Sequence, residues 1–243
     1  MIEVSQLHKR FGEIVAVDDV SFTAADGTVT GLLGPNGAGK TTTLRMLYGL
    51  IAPDRGRIHV DGVDVASDPL EAQTKLGVLP DTHGLYPRLT AREHVRYFGR
   101  LHGMNGAELE TRIGELIETL DMTGIADRRS QGFSHGERMK VSVARALVHG
   151  PRNVLLDEPT NGLDVMSTRA VREIIRRLRA EGKCVLFSSH VMQEVSALCD
   201  SIVIIARGQV VARGTPDELR SQTGQENLED AFVSLTGIDE ISQ

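Results

Sequence analysis

Gly34-Pro35-Asn36-Gly37-Ala38-Gly39-Lys40-Thr41 decides how this chain is read. It follows the short apolar run Val29-Thr30-Gly31-Leu32-Leu33 and leads into a helical stretch from Thr42 to Leu50. The order is strand, glycine loop, helix, at the spacing G-x-x-x-x-G-K-[ST]. Three glycines let consecutive N–H groups curl into an anion-binding nest, and the helix starting near Gly39 adds its positive end. Lys40 is placed to neutralise outer phosphates, and the Thr41 hydroxyl to hold Mg²⁺. A glycine-rich turn before an ordinary helix does not need every fixed position. Gly34 to Thr42 is therefore read as a nucleoside triphosphate site.

On the N-terminal side, residues 2–26 read as short alternating strands broken by Gly12 and Gly27, which predicts a small antiparallel sheet. Phe11 falls at the first hairpin tip, where its ring is either plain core or a platform for an adenine face. On the C-terminal side, Arg57 to Val65 reads as a hairpin around Asp61-Gly62, and Lys75 to Leu79 as a buried strand halted by Pro80. From Asp81 to about Val148 helical periodicity dominates, with Thr90-Ala91-Arg92-Glu93 as a capping box. The strand–helix–strand alternation then resumes in Val154-Leu155-Leu156, Val165 to Ala180, Cys184 to Phe187 and Ser201 to Ile205. Runs apolar on both faces indicate a parallel sheet covered by helices. Gln209 to Arg213 adds a hairpin arm, and Thr215-Pro216-Asp217-Glu218 opens a terminal helix. The expected organisation is one domain over 1–237, with an α/β core at 1–80 and 151–214. An inserted helical lobe fills 81–150, and a helical tail runs over 215–243.

Bulk properties exclude several classes. The 243 residues are enough for one large core, and 40% hydrophobic with 25% charged content is ordinary for a globular protein. A net charge of −6 offers no overall basic field for nucleic acid. Cys184 and Cys199 have neither metal-ligand nor redox spacing and read as core thiols. No signal-like segment precedes the first strand, and no apolar run approaches the roughly 20 residues of a membrane span. The expectation is a soluble chain that reaches a membrane only through a partner.

Two carboxylates follow the apolar strand in Val154-Leu155-Leu156-Asp157-Glu158, at the strand end where open α/β sheets bind ligands. Asp157 can hold Mg²⁺, and Glu158 can orient and deprotonate the attacking water. His190 ends the next strand, after Phe187-Ser188-Ser189. It is a plain structural histidine or, beside a terminal phosphate, a donor that senses it. Phe133-Ser134-His135-Gly136-Glu137 is a second glycine-containing helix start, which is a capping box and also a second anion site. One triphosphate cannot easily fill both anion sites of one monomer, so the pattern points to a site shared between two copies.

These elements in this order resemble the ATP-binding cassette (ABC) ATPases over essentially the whole chain. The resemblance implies a RecA-like P-loop NTPase fold with an antiparallel β-subdomain. It also implies a head-to-tail homodimer that sandwiches two ATP molecules with Mg²⁺. Phe133 to Glu137 looks like the family's signature motif, in which Ser134, Gly136 and Glu137 would meet the nucleotide held by the other copy. Asn161-Gly162-Leu163-Asp164 resembles its D-loop, His190 its switch histidine, and Phe11 its adenine-stacking aromatic. The signature departs from the usual Leu-Ser-Gly-Gly-Gln at Phe133, His135 and Glu137. Asp81 stands where the family places glutamine. Two like charges about 5 Å apart repel by roughly 3 kcal/mol at an effective dielectric near 20, so Asp81 beside Glu158 is expected to serve as a Mg²⁺ contact and transmission point that works only with the metal bound.

The family's location implies a peripheral place on the cytoplasmic face of a membrane, through an integral permease. Asp81-Thr82-His83-Gly84-Leu85-Tyr86 and Glu226 to Phe232 are similar to export-type subunits of the sodium-extrusion and drug-export branches. The competing class is a soluble cassette ATPase working on nucleic acid or ribosomes. Such proteins usually carry two cassettes joined by a linker or a long coiled-coil insertion, and neither is expected from these 243 residues. A third reading, an ATP-dependent scaffold with little turnover, is opposed by Glu158.

Overall fold

The computed structural model describes residues 1–82 and 84–237. His83, part of the export-type resemblance, and positions 238–243 of the expected tail lie outside the described residues.

The chain opens with β1 (Ile2–Phe11) and β2 (Ile14–Ala24), paired antiparallel with bulges, and reaches β3 (Val29–Leu33), whose five residues are all buried. The glycine loop and α1 (Lys40–Leu47) follow. Next come the hairpin β4 (Arg55–Val60) and β5 (Val63–Asp64), then α2 (Pro69–Thr74), capped by Asp68, and β6 (Leu76–Leu79). Three helices occupy the middle of the chain: α3 (Ala91–Leu101), α4 (Gly106–Thr119) and α5 (His135–Leu147). The alternation then resumes as β7 (Asn153–Asp157), α6 (Val165–Ala180), β8 (Cys184–Ser189), α7 (Met192–Leu198) and β9 (Ser201–Ala206). β10 (Gln209–Gly214), α8 (Pro216–Thr223) and α9 (Leu228–Thr236) close the described chain.

Four strands form an antiparallel sheet in the order β2-β1-β4-β5, and six form the central sheet in the order β10-β9-β3-β8-β7-β6. Within the central sheet β3, β6, β7, β8 and β9 run parallel, and only β10 is antiparallel to its neighbour. The strands are apolar on both faces because both faces are covered. Leu33, Leu156, Phe187 and Ile204 point into a core shared with the helices α3 to α6. Their neighbours Leu32, Leu155, Leu186 and Val203 point into a second core with α1 and the antiparallel sheet. This is the period-2 alternation of a strand with no wet side.

The helix starts are chemically marked. Thr90, Ser134 and Thr215 each accept the N–H three residues on, while Glu93, Glu137 and Glu218 bond back, so three capping boxes are complete. Each such cap contributes about 1 kcal/mol to its helix. α5 starts at His135, directly after the Ser134 cap, although its first turn, His135 to Glu137, is polar. Its buried face (Met139, Val141, Val143, Ala144 and Leu147) packs on β6 as well as on α3, so α5 joins the middle helices to the sheet.

Candidate functional site

β3 is flanked on both sides by strands later in the chain, β8 and β9, which makes its carboxyl end the point where the strand order reverses. The glycine loop leaves the sheet there. Gly39 has φ 105°, and a Cβ on it would collide with the Ala16 carbonyl oxygen. A Cβ on Gly34 would collide with the Ile205 carbonyl oxygen. The loop is therefore wedged between the end of β9 and β2, and only glycine fits at either contact.

A cavity of about 350 Å³ opens over the loop. Its walls include Ala16, Asn36 to Thr42, Asp81, His135, Met139, Glu158 and Asn161. Gly34 and Pro35 lie behind the wall and act through their carbonyls: the buried Lys40 Nζ donates to Gly34 O at 2.7 Å and Pro35 O at 3.2 Å. The same ammonium lies 3.4 Å from Glu158 Oε1. Glu158 Oε2 is 2.9 Å from His190 Nδ1. The carboxylate thus sits between a lysine and a histidine, although the three come from different elements.

Asp157 lies beneath Thr41, 4% exposed. Its Oδ1 accepts the Ser188 hydroxyl at 2.5 Å and faces Thr41 Oγ1 at 3.4 Å. Burial pushes this carboxyl above its ordinary pKa; the two hydroxyls oppose that, and the charges of Asp81 and Glu158 add to it. A buried anion repelled by two neighbours and next to a hydroxyl is a site that a hard cation would relieve. Oxygen donors alone suit Mg²⁺, which is commonly held by one or two carboxylates and completed by substrate phosphates. The residues therefore fit Mg²⁺.

Glu158 has φ 48°, a left-handed conformation uncommon for a residue other than glycine and costly without support. Two hydrogen bonds hold it: its N–H donates to Ser188 Oγ at 2.9 Å, and its carbonyl accepts the Asn161 N–H at 3.1 Å. Ser188 thus steadies both acids at once. It carries no chemistry that a sequence motif would single out, and only the β7–β8 register, which sets Asp157 against Ser188, brings it there.

The remaining candidates are placed as follows. Asp81 is on the cavity wall, with Oδ1 accepting the Thr82 N–H at 2.9 Å and Oδ2 3.9 Å from Arg45. Phe11 is not on the wall; its ring is exposed at the β1–β2 tip, near Lys9. Ser134 and Gly136 stand at the start of α5, outside the wall, while their neighbour His135 is on it. Glu137 has both oxygens committed within the chain, Oε2 to the Ser134 N–H and Oε1 to Arg128, each at 2.8 Å. Asp164 caps α6 through the Ser167 N–H and hydroxyl. Ala16, Ser188, Met139 and the His135–Asn161 contact were not legible in sequence.

A glycine loop at a strand-order reversal, with adjacent acids on the neighbouring strand, defines a phosphate-loop nucleotide-binding protein. A profile of the ABC transporter family matches residues 17–161. The chain is 46% identical to the ABC transporter ATP-binding protein NatA of Bacillus subtilis, over 96% of this chain and 97% of that protein. It is 40% identical to the Nod factor export ATP-binding protein I of Paraburkholderia xenovorans, over 90% of this chain and 72% of that one. A solved ATP-binding subunit of an ABC transporter superposes with a TM-score of 0.90 at 33% identity, covering 97% and 99% of the two chains. The chain belongs to the ABC transporter family as an ATP-binding subunit, and it is an ATPase. No helix among the described residues is long and apolar enough to cross a membrane.

Proposed function

We propose that this chain is the energy-converting subunit of an exporter whose membrane-spanning permease is a separate chain. In this reading it works as a pair of copies held peripherally on the cytoplasmic face of the membrane. The observation that carries the reading is the Glu158 carboxylate, set between Lys40 and His190 at the carboxyl edge of the sheet. Similarity to the Nod factor export ATP-binding protein I supports the transport direction. The net charge of −6 supports a partner other than nucleic acid.

The residues divide the work. N–H groups from Asn36 to Thr42 line the phosphates, and Lys40 exchanges the Gly34 and Pro35 carbonyls for phosphate oxygens. Phe11 stacks on the adenine. Thr41, Asp157 and Asp81 would hold Mg²⁺, whose chemistry there would be charge neutralisation at the phosphates. Glu158 orients the attacking water and takes its proton on a carboxylate oxygen. His190 holds Glu158 and donates towards the terminal phosphate. The Ser134 hydroxyl accepts the Glu137 N–H, which leaves its own proton to donate to a nucleotide held by the second copy. Gly136 lets that nucleotide approach, Glu137 fixes the turn, and Asp164 fixes the start of α6.

The test is to purify the tagged chain from detergent-solubilised membranes of its own host. A multi-span membrane protein is expected in fixed ratio, and recovery of the chain alone or with ribosomes would remove the exporter reading. With that partner present, Asp81→Ala is expected to lower turnover about tenfold, the size of one contact to a charged group, and Asp81→Gln less. If phosphate release by both matches wild type, Asp81 is a loop residue and not a metal contact.

A further inference from the structure

His135 stands at the first position of α5, exposed, on the wall of the nucleotide cavity. Its Nε2 is 3.1 Å from the Asn161 carbonyl oxygen. A carbonyl can only accept, so this nitrogen carries the proton and donates. Asn161 belongs to the short loop between β7 and α6, and its own N–H closes the turn on the Glu158 carbonyl. The same two segments meet once more, because a Cβ on Gly136 would collide with Ser167 Oγ in the first turn of α6. The start of α5 is therefore seated directly on the loop that holds Glu158 in its left-handed conformation. A glycine at position 135 would have no ring to make the bond.

We propose that His135 is a positioning residue: through the Asn161 carbonyl it fastens the first turn of α5 to the Glu158 turn and keeps the Glu158 carboxylate aimed into the cavity. This rests on the reading of Glu158 as the group that activates water. An off-angle general base loses rate without losing substrate, since the phosphates are held by the loop and Lys40.

The full chain is compared as wild type, His135→Ala, His135→Gln and Glu158→Gln. MgATP turnover is measured for each, and amide hydrogen exchange of residues 158–164 is followed without nucleotide. His135→Ala is expected to lower kcat about tenfold, as loss of one hydrogen bond would, with KM within about twofold of wild type. Exchange at 158–164 should rise by a similar factor while other segments keep their protection. His135→Gln, whose amide can donate to the same carbonyl, should recover both. Wild-type kcat or unchanged exchange in His135→Ala overturns the proposal. So does a loss that His135→Gln shares, or exchange that rises across the whole chain. The exchange measurement decides even where turnover needs the permease. If Glu158→Gln still hydrolyses ATP, the reading of Glu158 has failed. If it is inactive while His135→Ala behaves as wild type, only the His135 link has failed.

Discussion

Glu158→Gln is expected to bind MgATP at least as tightly as wild type and to hydrolyse it about a thousandfold more slowly. The amide keeps the size of the carboxylate and can still meet Lys40 through its oxygen, so the cavity retains its shape. It cannot take a proton from water, and general-base catalysis typically contributes about 10²–10⁴-fold. The substitution also removes the negative charge that Lys40 and His190 now face. Nucleotide phosphates then meet less repulsion, so ATP-bound pairs should accumulate. Rapid phosphate release at saturating ATP, together with size measurement in the presence of ATP, checks both halves. Ordinary turnover in the variant would remove Glu158 as the base.

Asp157→Asn is expected to move activity and stability in opposite directions. The folded protein holds this carboxyl above its ordinary pKa, chiefly through burial. For an acid with that sign, the contribution to stability is full below the unfolded-state pKa and is lost as pH rises through the folded-state pKa. At neutral pH the ion-free protein therefore carries a cost at Asp157. An asparagine can still accept the Ser188 hydroxyl and carries no charge. The nucleotide-free variant should melt a few degrees higher at neutral pH, with the gain disappearing towards about pH 4. Hydrolysis should fall by roughly two orders of magnitude or more, because the cation loses its anionic anchor. Thermal melts across pH and metal-dependent turnover measure the two effects. A variant that is less stable at neutral pH would show that Asp157 is held by its hydrogen bonds more than it is strained by burial.

What could be read in the sequence was whatever is local. The glycine loop, the two acids at the end of β7, the span of α6 and the caps at Thr90 and Thr215 depend on neighbours a few residues apart, and all are present. What escaped depends on register and depth. Ser188 was passed over in favour of His190, although it bonds to both Asp157 and the Glu158 backbone, because nothing local says that β8 lies beside β7. The cap at Ser134 marked where α5 starts, but its polar first turn gave no sign of its seat on the β7–α6 loop. Glu137 looked available for a ligand, yet Arg128, nine positions earlier, occupies one of its oxygens.

The glycine loop also serves as a hinge pin for the architecture. Gly34 rests against Ile205 at the end of β9, and Gly39 against Ala16 in β2. Close by, the Gly208 N–H reaches the Ala38 carbonyl at 3.0 Å, and the Asp18 N–H reaches Gly208 at 2.8 Å. Any side chain introduced at 34 or 39 therefore prises the two sheets apart before it ever meets a phosphate. Inactive variants at these glycines would be casualties of assembly, and they say little about how the nucleotide is gripped. Genetic screens that score such variants as binding-defective would be misled, whereas Lys40 and Thr41, which join no sheet to another, give a cleaner answer.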